Sequence, residues 1–186
     1  ASCQRIDALL KPRPAKTGRA VASEGLALAR ETARRGLKLR RSAGLPTPLK
    51  TSARPLLVVF PDFREVVERF TFEDGPLGPE KALRRRLKAL GPHIFHRAPI
   101  ETTSLGGLPE AVTRAERVLF FCFEAMRFPG QLAALKLLAK TASRKTVACL
   151  TRNPWDLELA PKTMTVWDAG GYRLTQLLAA LEEIIA

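Results

Sequence analysis

Apolar residues fall into two rhythms along this chain. Four runs, PLLVVF (55–60), HIFH (93–96), RVLFFCF (117–123) and TVACL (146–150), are nearly unbroken and rich in β-branched or aromatic side chains. That is the pattern of strands covered on both faces of a sheet. MTVW (164–167) predicts another strand, and Leu37 and Leu39 alternate with Lys38 and Arg40 in the period of a strand with one wet face. Between these runs the apolar spacing becomes helical. Ala22, Leu26, Ala29 and Ala33 form one stripe, with Ser23 placed to cap the start and Gly36 to close the end in a left-handed conformation. Leu83, Leu87 and Leu90 form a second stripe after Pro79, stopped by Gly91-Pro92. Residues 107–116 and 130–141 predict two more helices, and Leu174, Leu177, Leu178, Leu181 and Ile185 a last one. Strands alternating with helices define an α/β fold: a doubly wound, mostly parallel sheet of five to six strands with helices on both faces, a three-layer α/β/α sandwich.

Composition sets the boundaries. Residues 1–22 hold one short apolar turn and then a stretch rich in Pro, Lys and Arg that cannot bury much, so they read as a tail or linker; 23–186 is the domain, interrupted by a second linker, SAGLPTPLKTSARP. A chain of 186 residues, 46% of them hydrophobic, suffices for one domain with a real core. Its 31 basic and 18 acidic residues give a net charge of +13, which favours acidic partners in general. The basic residues of RETARRGLKLRR (30–41) and KALRRRLKAL (81–90) interleave with Leu as on a solvated helix or strand face. With only 6% aromatic residues, mostly in core-like runs, no specific nucleic-acid interface is expected. Three cysteines at no metal-like spacing argue against a disulfide framework and against zinc; Cys122 and Cys149 lie in apolar runs as buried thiols, and Cys3 follows Ala-Ser without the apolar stretch of a lipoprotein signal. No apolar run approaches the ~20 residues of a membrane span, so no membrane partner is expected.

In doubly wound sheets ligands sit at the carboxyl ends of the strands, here Pro61-Asp62, Glu124 to Arg127, Arg152 to Asp156 and Asp168 to Gly171. The strand PLLVVF runs into PDFREVVERF and not into a glycine-rich turn, and no Walker sequence, Gly-x-Ser-x-Gly elbow or HExxH occurs. No cofactor and no metal are therefore expected. His93 and His96 fall on opposite pleats and cannot easily share a metal or a proton. Glu124, at a strand terminus, is the candidate catalytic carboxylate, since such a group facing a cleft would have its pKa raised. Alone it makes no catalytic set, because glycosidic cleavage needs two such groups and acyl or phosphoryl transfer needs a nucleophile with its base. Asp156 and Asp168 end nearby strands at a separation the sequence does not fix.

The order of these pieces carries a resemblance. LARETARRGLKLRRSAGLPTPLK resembles the helix, strand and "LPL" entry that begins the C-terminal α/β sandwich domain of glycoside hydrolase family 3, usually near A-x-x-S-I-T-L-V-R-N-x-x-x-L-L-P-L. RVLFFCFEAMRFPGQLAALKLLAK looks like that domain's central strand, loop and helix, with Pro129-Gly130-Gln131 opening the helix as in the β-N-acetylglucosaminidase branch. TVACLTRNPWDLEL is similar to its S-L-R-N-P-Y-D-L element, matched by Leu150, Arg152, Asn153, Pro154, Trp155, Asp156 and Leu157. The resemblance runs from about residue 23 to the end, and RIDALL looks like the last helix of a preceding barrel. The family's K-H-F-P-G-H-G signature is absent.

The resemblance implies a non-catalytic domain, inactive alone, whose partner is an N-terminal (β/α)8 barrel of the same polypeptide carrying the aspartate nucleophile and a histidine–aspartate pair. Joined to it, the enzyme would be β-N-acetylhexosaminidase-like and hydrolyse terminal β-linked amino sugars. In the β-glucosidase branch this domain would instead contribute the general acid, for which Glu124 is the candidate; a stand-alone sugar- or anion-binding module is the other alternative. Met126, Arg127, Phe128, Arg152, Asn153, Trp155 and Asp156 are expected to form the docking or ligand loop, with Trp155 burying its ring against the partner and Asp156 capping its own turn. Without the barrel, the uncovered Trp155, Met126 and Phe128 would give weak homodimers. A bacterial cytoplasmic setting is expected, with an exported full-length enzyme as the alternative.

Overall fold

A computed structural model describes residues 19–45, 49, 54–70, 75, 77–89 and 91–185. The expectations for Cys3, for RIDALL and the rest of 1–18, for Leu90 and for part of the second linker lie outside the described residues. The elements are α1 (Arg19–Gly36), β1 (Lys38–Arg41), β2 (Leu56–Pro61), α2 (Gly78–Lys88), β3 (His93–Ala98), α3 (Leu108–Arg114), β4 (Arg117–Cys122), α4 (Pro129–Ala142), β5 (Thr146–Leu150), β6 (Thr165–Asp168) and α5 (Leu174–Ile185), with short 3-10 turns at Phe63–Val66, Ser143–Lys145 and Pro154–Leu159. The six strands form one sheet in the order β1-β6-β5-β4-β2-β3. Every pairing is parallel except β1 with β6.

The period of two decides which core each strand residue enters. From β2 and β4, Leu56, Val58, Phe60, Leu119 and Phe121 face Leu83 and Leu87 of α2 and Leu177 and Leu181 of α5. The alternate residues Leu57, Val59, Val118, Phe120 and Cys122 face Leu108 and Val112 of α3 and Leu135 and Leu138 of α4. Helices thus cover both faces, in the expected three layers. β2 and β5 are buried throughout, and β4 from Val118 onward. β3 is an edge strand and only half-buried, which explains why HIFH, unlike the others, is short and carries two histidines. Cys122 and Cys149 are buried free thiols in opposite cores, their pKa values pushed up by burial.

Several local expectations are corrected. α1 begins at Arg19, so Ser23 lies inside the helix and not at its start. Gly36 ends α1 without a left-handed backbone, whereas Gly91, after α2, has φ of +127° and makes the stop that only glycine adopts freely. Of the α1 stripe, Ala33 is buried and Leu26 is 47% exposed, lining with Arg30 and Arg34 a groove against Leu174, Leu178 and Ala179 of α5. Leu39 points out of edge strand β1 while Leu37 packs on the core. The second linker is tied down: Leu45 and Leu49 enter the α2/α5 core, and the Leu49 N–H donates to Ile184 O at 2.6 Å.

Candidate functional site

The strand order reverses between β2 and β4, whose following helices α2 and α4 leave on opposite faces. In such sheets the crevice beyond these two carboxyl ends is where ligands bind. Here aromatic rings occupy it. Phe63 and Tyr172 meet the Phe123 ring edge-on at 5.1 and 5.6 Å, Phe70 does so at 5.3 Å, and Phe128 stacks on it at 5.7 Å. Edge-on and offset contacts at these separations are favourable beyond the area they bury. Phe128, expected on an exposed docking face, is only 2% exposed and belongs to this cluster.

The loop between β4 and α4 is built around three constraints. Pro129 stands in the first turn of α4, where its missing N–H costs nothing. Gly130 brings the helix against the loop after β3: a Cβ there would lie 2.3 Å from Thr102 O and 2.5 Å from Pro99 O. Gln131, fully buried, accepts from the Phe123 N–H at 3.1 Å and donates to Pro99 O at 2.9 Å, tying together the ends of β4 and β3.

The loop after β5 is locked onto the loop after β4. Asn153 caps the 3-10 turn by accepting from the Trp155 N–H at 3.1 Å. Asp156 does not cap its own turn as expected. Its fully buried carboxylate accepts from the backbone N–H groups of Ala125 (2.7 Å) and Met126 (3.0 Å), so it staples the two loops to each other. Burial raises its pKa; the N–H groups of Met126 and Ala125 oppose that rise, and the nearby Glu124 charge adds to it. Arg41 of β1 fastens the far end by donating to Ala160 O at 2.7 Å and Pro161 O at 3.0 Å. On this rigid platform Trp155 is 67% and Met126 47% exposed.

Glu124 has φ of +47°, a left-handed backbone that a side chain-bearing residue adopts at a cost of about 1–3 kcal/mol. Its carboxylate does not face an open cleft. It is buried, with Arg152 Nε 2.8 Å from Oε1 and Arg127 Nη1 3.5 Å from Oε2. The Arg152 guanidinium lies 4.7 Å from the Phe70 ring centre and 5.7 Å from that of Tyr172. At the end of β2, Asp62 pairs with Arg64, and that hydrogen bond holds its pKa below the usual value against the effect of burial. Asp168 pairs with Arg40 of β1, Nη2 to Oδ2 at 2.6 Å.

The structure therefore brings Met126, Arg127, Arg152, Asn153, Trp155, Asp156 and Glu124 together at one edge and sends Phe128 inward. Sequence reasoning missed Phe70 and Tyr172, whose edge-on pair lies beside Arg152; Gly170-Gly171-Tyr172 just after a strand end was the available signal. His93 and His96 share no ligand, and no cluster of metal-ligating side chains occurs among the described residues. No helix among them is long and apolar enough to cross a membrane.

No family model and no curated protein matches the chain. Solved structures do. Over 99% of its length the chain is similar to a glycoside hydrolase family 3 β-N-acetylglucosaminidase from Paenibacillus sp. str. FPU-7, with a TM-score of 0.72 and 18% identity, covering 35% of that chain. Over 98% of its length it matches the family 3 β-glucosidase of Bifidobacterium adolescentis, with a TM-score of 0.57 and 15% identity, covering 29% of that chain. Over 84% it matches the β-N-acetylglucosaminidase of Thermotoga maritima, with a TM-score of 0.52 and 13% identity, covering 30% of that chain. At these identities the likeness is one of fold. The chain has the α/β sandwich fold contained within family 3 glycosidases, as the sequence resemblance implies, and it spans about a third of the length of these proteins.

Proposed function

We propose that this chain is the non-catalytic α/β domain of a glycoside hydrolase family 3 enzyme of the β-N-acetylhexosaminidase-like branch, inactive alone and completed by a (β/α)8 barrel in the same polypeptide. The observation that carries the reading is the match over 99% of this chain to about a third of a family 3 β-N-acetylglucosaminidase. The filled crevice supports it, since a domain with an active site of its own would keep the switch point open. In this reading the stapled loops are the docking face, with Trp155 and Met126 presented to the barrel and Arg127 and Arg152 beside them. The isolated chain is expected to leave 4-nitrophenyl N-acetyl-β-glucosaminide intact at any enzyme concentration and pH. Turnover by the chain alone, lost in a Glu124→Gln variant, would overturn the reading.

The strained backbone at Glu124 favours a second reading, in which this residue supplies the general acid to a β-glucosidase-type site. Against it stands the ion pair with Arg152, which occupies one carboxylate oxygen, and the burial of the other. With the purified barrel added, Glu124→Gln separates the two: unchanged hydrolysis removes Glu124 from the chemistry.

A further inference from the structure

We infer that Arg152 and Arg127 form a carboxylate-binding site at the carboxyl edge of the sheet, with Glu124 as the residue that positions them. This goes beyond the glycosidase reading and does not rest on it. A guanidinium has two edges and two faces through which to act. For Arg152, the Glu124 carboxylate forms an ion pair at the Nε edge, 2.8 Å away, and the edge-on Phe70–Tyr172 pair lies on one side of the group at 4.7 and 5.7 Å. The edge formed by the two terminal nitrogens keeps no hydrogen-bond partner among the described residues, while the side chain is 40% exposed. The ion pair and the ring contacts favour one placement of the group before any ligand arrives, and the remaining edge is the one that grips a planar carboxylate through two parallel hydrogen bonds.

Arg127 closes the site. It lies three residues from Glu124, is 60% exposed, and its Nη1 stands 3.5 Å from Oε2, close enough to be attracted and too far to be fastened by a good hydrogen bond. Glu124 Oε2 is buried and has no hydrogen-bond partner among the described residues, and the residue holds a left-handed backbone. An unsatisfied buried acceptor and a strained main chain at one residue are both unfavourable. Together they mark a residue kept for the placement of its carboxylate, which offsets one of the two cationic charges and orients both. The ligand meets the guanidinium groups and not Glu124, so Glu124 is a positioning residue.

The carboxylate has two sources, a sugar acid or an aspartate or glutamate side chain of an adjoining domain. The whole chain, labelled with 15N, is titrated at constant ionic strength with acetate, with D-glucuronate and with N-acetyl-aspartate amide, while the Arg Nε–H and loop amide signals are followed. Saturable shifts at Arg152 and at residues 124–128 are expected, with dissociation constants on the order of millimolar for so small an ion. Arg152→Lys keeps the charge but loses the fork, and affinity should fall about tenfold. Arg127→Ala, at an exposed position, should weaken binding while leaving the spectrum folded. Glucuronate binding about tenfold tighter than acetate assigns the sugar source; equal binding by acetate and the aspartate amide assigns the side-chain source. Shifts that grow linearly without saturation, or that persist unchanged in Arg152→Lys with its fold intact, overturn the site.

Discussion

Among the regions that expose large apolar side chains, two do so in opposite ways. In the loop after β5, Trp155 stands out on a turn whose neighbours are locked: Asp156 is buried beneath two backbone donors, Asn153 caps the turn, and Arg41 holds its end. In α1, Leu28 is 69% exposed on a helix whose residues 24–32 are all exposed, and Ala33 is the buried residue of the stretch 24–36. The first region is rigid and uncovered; the second is uncovered and weakly held. A docking face benefits from rigidity, because little ordering then remains when a partner arrives. A helix that buries little of its surface gains little from its own hydrogen bonds. The loop is accordingly the better candidate for a preformed contact, and α1 for an element that firms up only in the longer protein.

If that comparison is right, the largest losses come from the staple beneath Trp155. Asp156→Ala leaves the Ala125 and Met126 N–H groups buried without their acceptor, and unfolding in urea should show a loss of about 3 kcal/mol. Asp156→Asn is no rescue, since both carboxylate oxygens accept from backbone donors and an amide offers only one acceptor. Gly130→Ala comes next. Its methyl group would meet backbone oxygens that cannot move aside, so α4 must shift, with an expected loss of about 2 kcal/mol. A loss below about 0.5 kcal/mol for Asp156→Ala, within the range of ordinary surface changes, would mean that the two loops are not coupled.

A smaller effect separates the carboxylates by sign. Burial raises the Asp156 pKa, so the folded chain takes up that proton before the unfolded chain does. Wild type should gain stability relative to Asp156→Ala as pH falls from the raised folded value towards the unfolded one, near 4. Asp62 is the reverse, lowered by Arg64: its stabilisation is present above the unfolded value and is lost as pH falls through the folded one. Its side chain is mostly buried but Arg64 is half exposed, so screening keeps the effect small. Urea melts of wild type, Asp156→Ala and Asp62→Asn between neutrality and pH 3 should give pH slopes of opposite sign for the two variants.

The layers were legible in the sequence because strand and helix periods are local. RVLFFCF had to be a doubly covered strand, and alternation then assigned Phe120 and Phe121 to opposite cores. What covers a stripe is not local. The spacing of Leu26 and Ala33 is equally helical, yet Leu26 lies at the margin of a groove against α5 and stays exposed while Ala33 is buried. Linker composition hid Leu45 and Leu49, whose four-residue spacing was the available sign of burial. At the site, the residues of FEAMRFP and RNPWD were legible as a group but not their directions. Met126 and Phe128 sit two apart in a turn where no simple period holds, and the aromatic cluster takes one and leaves the other. Asp156 looked like a local cap because its long-range partners are backbone groups, which every residue carries.

The smallest stability effects should fall on the exposed residues themselves, and there the two regions part most clearly. Trp155→Ser and Leu28→Ser each remove an apolar side chain already in water, so folding stability should change by less than about 0.5 kcal/mol in either. Association is another matter. A rigid platform presenting Trp155 beside Met126 can meet a second copy with little ordering, whereas α1 would have to stiffen first. We expect sedimentation velocity to show weak, concentration-dependent self-association of the isolated chain that Trp155→Ser abolishes and Leu28→Ser leaves in place. Arg127 and Arg152 at the same edge repel their counterparts, so the association should strengthen with added salt. A monomer at every concentration and salt level would remove the platform as a self-contact. Loss of association in Leu28→Ser alone would move the sticky surface to α1 and reverse the comparison.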